Sequence, residues 1–426
     1  MTNAMDEVRR FLKKDDLPGA VRSLRPHAES APVPELAEAV RALADAAGFE
    51  DLADAAGFED LADAAGAAAE RPGEPQALYD FGYACVERGI AFLAVAPLRE
   101  ALRLLPDSRP LLAELVSALE DENRHAEAAA LLSGRGGALP AWPETYLLAH
   151  HTLLAGDLDT AERIGRALPA PEDPQWSGAH DRQLRRLDRT GRARRAQRAA
   201  GHTDPLGRAD LRGWHYGLTG GLLGTLSPYG WDAGMTGRFA YLGDTHATCR
   251  RGLGRLALAL EAAGRRPTTI SLLPGRSDRI LGLAAARLLE LPAVPYAPAR
   301  GDTVVVAYDL NAADPDLVRT LHARTDGQIL AEHATCWTDP PAVSADFSAL
   351  LCQFVAPPWK DDQRSEEEIA RDVAHAAADP DEGDGATPPD PDEAFRAFVA
   401  AVGADWLTAP RDRVASPGPV PGSRFA

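Results

Sequence analysis

Two periodicities divide the chain. From residue 6 to about residue 200 apolar positions recur at helical spacing and Pro and Gly are confined to punctuation, which predicts helix almost throughout. From about 211 to 360 short apolar runs alternate with helical segments. Strands are predicted at 268–273, 293–296, 302–308, 328–331 and 349–355, and helices at 246–264, 279–289 and 314–323. Apolar strands alternating with helices predict a mostly parallel sheet covered on both faces. The run Thr303-Val304-Val305-Val306-Ala307 stops abruptly at Tyr308-Asp309. A buried strand thus delivers a carboxylate to its C-terminal edge, where such sheets bind ligands.

Other stretches depart from these patterns. Glycine interleaved with aromatics between Trp214 and Tyr241 predicts tight turns and short strands, arranged as a hairpin or flap. Residues 361–385 are dominated by Asp, Glu and Pro and predict a solvated linker. Beyond it Phe395, Phe398, Val399, Val402 and Trp406 make one apolar helix face that docks back, and 410–426 is expected to be disordered. In the helical half a nonapeptide beginning at Leu43 recurs at Leu52, and Leu61 begins a third copy. Such a repeat is about two and a half helical turns, so successive copies turn Leu and Phe to opposite faces. It is therefore an insertion tolerated by a helix or loop and not a stacking repeat. The pattern breaks at 201–207, where the domain boundary is placed.

Composition narrows the classes of function. A formal charge of −18 over 426 residues excludes a general nucleic-acid binder and a protein that docks on anionic lipid. The charged amino terminus has no apolar run behind it, so no secretory signal is expected, and no apolar run approaches the ~20 residues of a membrane span. Cys85, Cys249, Cys336 and Cys352 are widely spread, which suits a cytoplasmic protein better than a disulfide framework. The excess of Arg over Lys, with Lys only at 13, 14 and 360, and the abundance of Ala and Pro are what codon bias in a GC-rich bacterial genome would be expected to produce.

Leu78, Phe81, Gly82, Cys85, Ala94, Leu98, Ala101 and Pro106 place small residues at a helix crossing, bulky ones in the groove and a breaker at the end. Here the sequence resembles the tetratricopeptide repeat. A second unit follows with Leu112, Leu115, Leu119, Ala128 and Leu132, and a third with Tyr146, Leu148, Ala149, Ala161 and Leu168. The resemblance covers 72–171 and implies an α-helical solenoid with a concave surface for a protein or peptide partner. Residues 1–71 would form a helical cap and 72–200 the repeat domain. Ten Arg against four Asp lie between 181 and 212, which predicts an exposed helix whose Arg pair with the acidic surface of the repeats. His150 and His151, adjacent on a helix, are expected to be packed or solvated and are not assigned as ligands.

Residues 205–360 resemble the phosphoribosyltransferase fold through three features. These are the loop Leu273-Pro274-Gly275-Arg276-Ser277-Asp278-Arg279, the helical run from Ile280 to a Leu291-Pro292 pair, and the strand ending at Tyr308-Asp309-Leu310. The resemblance implies a ligand site in which Arg276, Ser277 and Arg279 hold a small anion, with Ser277 as helix cap, while Asp309 and Asn311 mark the ribose end. That family closes the strand with two adjacent acids and continues into a Gly/Thr-rich phosphate cradle. Here Tyr308 replaces the first acid, and Asn311-Ala312-Ala313-Asp314-Pro315 replaces the cradle with alanines and a repelling charge. A catalytically silent relative is therefore expected, with no catalytic residue, metal or cofactor.

The tetrapeptide His-Ala-Thr-Cys occurs at 246–249 and again at 333–336, but its spacing is not that of a zinc finger and no metal site is assigned. No nucleophile elbow, P-loop, zincin or dinucleotide motif is present. The reading is a helical solenoid fused to a degenerate phosphoribosyltransferase-like α/β domain, followed at 361–426 by an acidic tail. It acts as an interaction or regulatory protein. The rivals are an active phosphoribosyl- or nucleotide-handling transferase and a structural scaffold.

Overall fold

A computed structural model gives the fold and describes residues 4–47, 55–135, 139–378 and 383–423. The chain divides into two compact units, Met1–Ala155 and Gly156–Ala426. Among the described residues no helix is long and apolar enough to cross a membrane.

The first unit is helical: α1 (Ala4–Leu12), α2 (Leu17–Ser23), α3 (Val33–Ala47), α4 (Ala55–Glu70), α5 (Pro75–Glu87), α6 (Val95–Leu104), α7 (Arg109–Asp121), α8 (His125–Ser133) and α9 (Tyr146–Leu154). Side-chain caps start several of them. Asp16 accepts from Gly19 N–H at 2.7 Å and Ser108 from Leu111 N–H, each satisfying an orphan donor of the first turn. Leu78, Phe81, Leu98, Leu112, Leu115, Leu119 and Leu132 lie in one continuous core, as their spacing predicts. A Cβ on Gly82 would come within 2.4 Å of Leu98 Cγ, so α5 and α6 cross at a contact that a larger residue would push apart. The repeated nonapeptide begins at the end of α3 and its third copy lies in α4, while residues 48–54, the end of the first copy and the start of the second, lie outside the described residues.

The second unit opens with α10 (Leu158–Ala167), α11 (Ser177–Ala199) and α12 (Leu211–Thr219). Its sheet follows: β1 (Leu222–Leu223), β2 (Phe239–Gly243), α13 (His246–Ala262), β3 (Thr269–Leu272), α14 (Arg276–Leu288), β4 (Ala293–Pro295), β5 (Thr303–Ala307), α15 (Pro315–Leu321), β6 (Ile329–Cys336) and β7 (Phe347–Ala356). Two helices close it, α16 (Glu366–His375) and α17 (Asp392–Val402). The unit is mixed α/β, with a seven-stranded sheet in the order β1-β7-β6-β5-β3-β4 and β2 also on β7, every pair parallel. All five residues of β5 are buried because both faces are covered. Val305 and Ala307 pack with Val318 and Leu321 of α15, while Gly282 of α14 lies against Leu272 and Val306 on the opposite face.

Several expectations change. The division after Ala155 places α10 and α11 in the second unit and leaves 201–207 as a turn within it. It also separates the two helices assigned to a third repeat. Arg166, Arg194 and Arg192 pair within this unit, with Asp188, Asp159 and Asp405. No hairpin forms at 214–241: Trp214 and Tyr216 are core residues of α12, and β1 and β2 both run parallel to β7. The acids at 366–368 are not linker. They open α16 behind a capping box of Ser365 and Glu368, and Ile369, Ala370 and Val373 are buried below them. The linker expectation for 379–382 lies outside the described residues.

The largest correction concerns the tail, because residues 410–423 are ordered against the sheet. Low complexity misled the sequence reading, since one charged residue anchors the segment. Arg411 is 1% exposed and donates to Asp346 Oδ2 at 2.9 Å, to the Leu321 carbonyl at 2.8 Å and to the Gln328 carbonyl at 3.1 Å. Asp346 also accepts from Leu330 N–H at 2.8 Å, and its own carbonyl accepts from Trp406 Nε1 at 2.8 Å. Arg324 also pairs with Asp346, so Arg411→Ala leaves the carboxylate one cation but strips the hydrogen bonds from the buried Leu321 and Gln328 carbonyls. It should lower the stability of this unit by about 1–3 kcal/mol in urea denaturation. A loss under about 1 kcal/mol would show the tail to be an ornament.

Candidate functional site

The topology reverses at β3. The chain passes from β3 outward to β4 and returns on the other side of β3 as β5. Counted from β3, the five strands run 2-1-3-4-5, one of the two common orders of open α/β sheets. In such sheets the crevice outside the carboxyl ends of the strands flanking the reversal is the ligand site. Here it lies between the turn that leads from β3 into α14 and the turn that follows β5.

Tyr308, immediately past β5, dominates that crevice and is 3% exposed. Its N–H donates to Asp278 Oδ1 at 2.7 Å and its hydroxyl donates to Asp244 Oδ2 at 2.8 Å. Trp359 meets the ring edge to face at 5.4 Å and is itself 1% exposed. Its indole N–H donates to Ser277 Oγ at 3.0 Å. Arg276 donates to the carbonyls of Trp359 at 3.1 Å and Asp362 at 2.7 Å, and Arg279 to Glu366 Oε2 at 2.7 Å. The first turn of α14 thus holds the segment from Trp359 to Glu366 over the crevice.

The sequence-predicted residues therefore fall into two groups. Arg276, Ser277 and Arg279 stand together on α14, where Gly275 rather than Ser277 is the cap residue because the helix starts three residues earlier than its apolar pattern indicates. Asp309 and Asn311 stand together after β5. Asp309 accepts from Asn311 N–H at 2.9 Å and caps a single 3₁₀ turn, while Asn311 Nδ2 donates to the Asp339 carbonyl at 2.8 Å. The Asp278–Tyr308 bond joins the two groups.

Three carboxyls gather at this edge. Burial pushes Asp278 up to about 6, against the pull of Tyr308 N–H, and Asp309 is raised by burial as well. Glu332, level with Ala307 on β6, is buried and pushed up to about 8. It keeps its hydrogen bonds: Oε1 accepts from Leu310 N–H at 2.7 Å and Oε2 from Thr335 Oγ1 at 2.5 Å. Desolvation dominates both shifts, and the Asp309 charge adds to each. Glu332 keeps its proton at neutral pH, whereas Asp278 is ionised above about 6 and sets a negative charge against an approaching phosphate.

On the other face of β6, donors converge on Asp244 Oδ2 from His333 Nε2 at 2.8 Å, from the Tyr308 hydroxyl and from the Cys249 thiol at 3.2 Å. Burial alone would raise the Asp244 pKa. The attraction of His333 and the donated hydrogen bonds outweigh burial and hold the carboxyl below its ordinary value. Burial and the neighbouring Asp244 charge push Cys249 well above the usual thiol range, so it remains a donor. A Cβ on Gly252 would lie 2.9 Å from Ala349 Cβ and 3.0 Å from His333 Nδ1, so glycine lets α13 press onto the network. One residue from each His-Ala-Thr-Cys tetrapeptide meets here, Cys249 Sγ lying 3.8 Å from His333 Nε2. His246 turns to Trp359 and Cys336 to Thr338 and the Gln353 carbonyl, so the two tetrapeptides do not form a four-ligand site. Asp244, Cys249 and His333 have ligand atoms within 4.8 Å of one another, and their mutual protons satisfy them as a hydrogen-bonded cluster.

The fold and site define a doubly wound parallel α/β domain whose switch-point crevice is occupied by its own side chains. Comparison with family models, with curated proteins and with solved structures gives no match to this chain. Sequence reasoning missed Asp244, Glu332 and Trp359. Glu332 carried a signal, a lone acid inside an apolar run, whereas Asp244 and Trp359 act through contacts 64 and 82 residues distant.

Glu332 ties stability to pH. Its folded pKa lies above its ordinary 4.5, so its contribution is fully present below that value and is lost as pH rises through about 8. Glu332→Gln keeps the shape and removes the titration. Relative to wild type it should gain stability in urea between pH 5 and pH 8. An unchanged pH dependence would show that Glu332 is not the group responsible.

Proposed function

We propose that this chain is a non-catalytic interaction or regulatory protein of the cytoplasm, in which a tetratricopeptide-like helical unit is joined to a degenerate phosphoribosyltransferase-like domain. One observation carries the reading: the place where a ribose phosphate and its Mg²⁺ would sit is filled by Tyr308 and Trp359. The two cations of the α14 turn serve the chain itself, Arg276 through backbone carbonyls and Arg279 through Glu366. The Asp278 carboxylate at the edge opposes a phosphate further. A small anion retains one route, displacement of Glu366 from Arg279, since a half-exposed ion pair contributes only about 0–1 kcal/mol.

The helical unit supplies the partner-binding role. Its close α5–α6 crossing at Gly82 and its continuous core are what a stacked two-helix repeat requires, and such stacks present extended surfaces to peptides. Four unpaired cysteines agree with a reducing compartment.

Isothermal titration of the full chain with phosphoribosyl diphosphate, with and without Mg²⁺, tests this reading. The expected result is no Mg²⁺-dependent saturable binding. Binding that requires Mg²⁺ and disappears in Asp309→Ala would overturn it in favour of an active transferase.

A further inference from the structure

The adjacent histidines of α9 do not simply pack. His150 and His151 are both buried, and each turns its Nε2 toward Glu120 of α7: His150 Nε2 is 3.2 Å from Oε1 and His151 Nε2 is 3.7 Å from Oε2. Successive helical residues diverge by about 100°. The two rings accordingly stand at 71°, with centroids 5.1 Å apart, and grip the carboxylate from two sides. Behind them His125, at the start of α8, stacks on His151 and places its Nδ1 at 3.1 Å from His151 Nδ1.

That last contact fixes the chemistry. Both imidazoles are buried. Between two facing Nδ1 atoms one carries the proton and the other accepts it. If His125 donates, His151 carries its proton on Nε2, which at 3.7 Å from Glu120 is beyond hydrogen-bond reach. If His151 donates, its Nε2 presents a bare lone pair toward a carboxylate. Either way His151 Nε2 is a buried nitrogen with no hydrogen-bond partner among the described residues, a state that costs about 1–3 kcal/mol. A cation between Nε2 and the carboxylate removes the conflict.

We infer that Glu120, His150 and His151 form a binding site for a late first-row divalent cation of the Zn²⁺ type. The inference is independent of the function proposed above. The three ligand atoms lie within 4.8 Å of one another. Ligands about 2.0–2.2 Å from one tetrahedral ion sit roughly 3.4 Å apart. His150 Nε2 lies 3.2 Å from Oε1 and His151 Nε2 lies 3.7 Å from Oε2, each close to that spacing. Two imidazoles with one carboxylate select such a metal over Ca²⁺ or Mg²⁺, which take oxygen ligands. His125 supplies the outer partner, accepting the Nδ1 proton of His151 as a metal-bound histidine requires. Glu120 is 43% exposed, so an ion on its carboxylate has an approach from solvent.

The test uses the full chain, stripped with a chelator and titrated with Zn²⁺ against a chromogenic indicator. Co²⁺ serves as the spectroscopic substitute, and circular dichroism confirms that each variant is folded. Stoichiometric Zn²⁺ binding is expected, with a Co²⁺ spectrum free of a thiolate-to-cobalt charge-transfer band. Glu120→Gln, close in shape to the parent, should weaken binding more than about 100-fold, beyond the 10–100-fold expected when His125→Phe removes only the outer partner. His150→Gln serves as a second ligand variant if Glu120→Gln fails to fold. Absence of stoichiometric binding by the folded wild type would overturn the assignment. So would binding that survives both ligand substitutions, or a charge-transfer band that places the ion at Cys249.

Discussion

The amide and the hydroxyl of Tyr308 are both committed to carboxylates, Asp278 on one side and Asp244 on the other, and the carboxyl edge of the sheet is built around that pair of bonds. An acid at this position would place a second charge beside Asp309 at the tip of β5. A tyrosine instead supplies a donor to Asp244, and its ring supports Trp359. The consequence spreads to α14, because Trp359 needs Ser277, and the segment behind Trp359 needs Arg276 and Arg279. The residues that would recognise an anion thereby become the clamps that hold the chain's own carboxy-terminal segment.

Buried polar groups recur through this unit, and most are satisfied. Asp244 takes three donors on one oxygen and Asp346 anchors Arg411, while Arg212 reaches Asp390 at 2.8 Å and the Leu223 carbonyl at 2.8 Å. In a low-dielectric interior such networks are costly when broken and specific when complete. They join β6, β7 and the carboxy-terminal segments into one body. This explains how the Pro-rich stretch 410–423, which has no sustained apolar pattern, packs onto the domain.

Much of the fold was legible because it rests on local periodicity. The run of five buried residues in β5, the α13 pattern ending at Gly264 and the apolar face of α17 each state their environment in a few consecutive residues. What was not legible depends on partners far along the chain. Ser365-Glu366-Glu367-Glu368 has the composition of a linker, and becomes a helix start only through its capping box and the burial of Ile369 against the domain. Arg411 looks like a tail residue until Asp346 is beside it. Among the candidate ligands, the anion-binding chemistry of Arg276 and Arg279 was visible, but their occupation by 359–366 was not. His150 and His151 were visible as a pair. Their meaning lies in Glu120, 30 residues earlier on another helix.

Whether the crevice is closed by the protein itself can be measured directly at one amide. Hydrogen exchange of the Tyr308 N–H, followed in the native protein without ligand, should be slow, with protection approaching that of the β5 interior, because exchange requires parting Tyr308 from Asp278 and lifting Trp359. Rapid exchange at Tyr308 while Val305 and Val306 stay protected would mean an open, ligand-accessible crevice and would contradict the account.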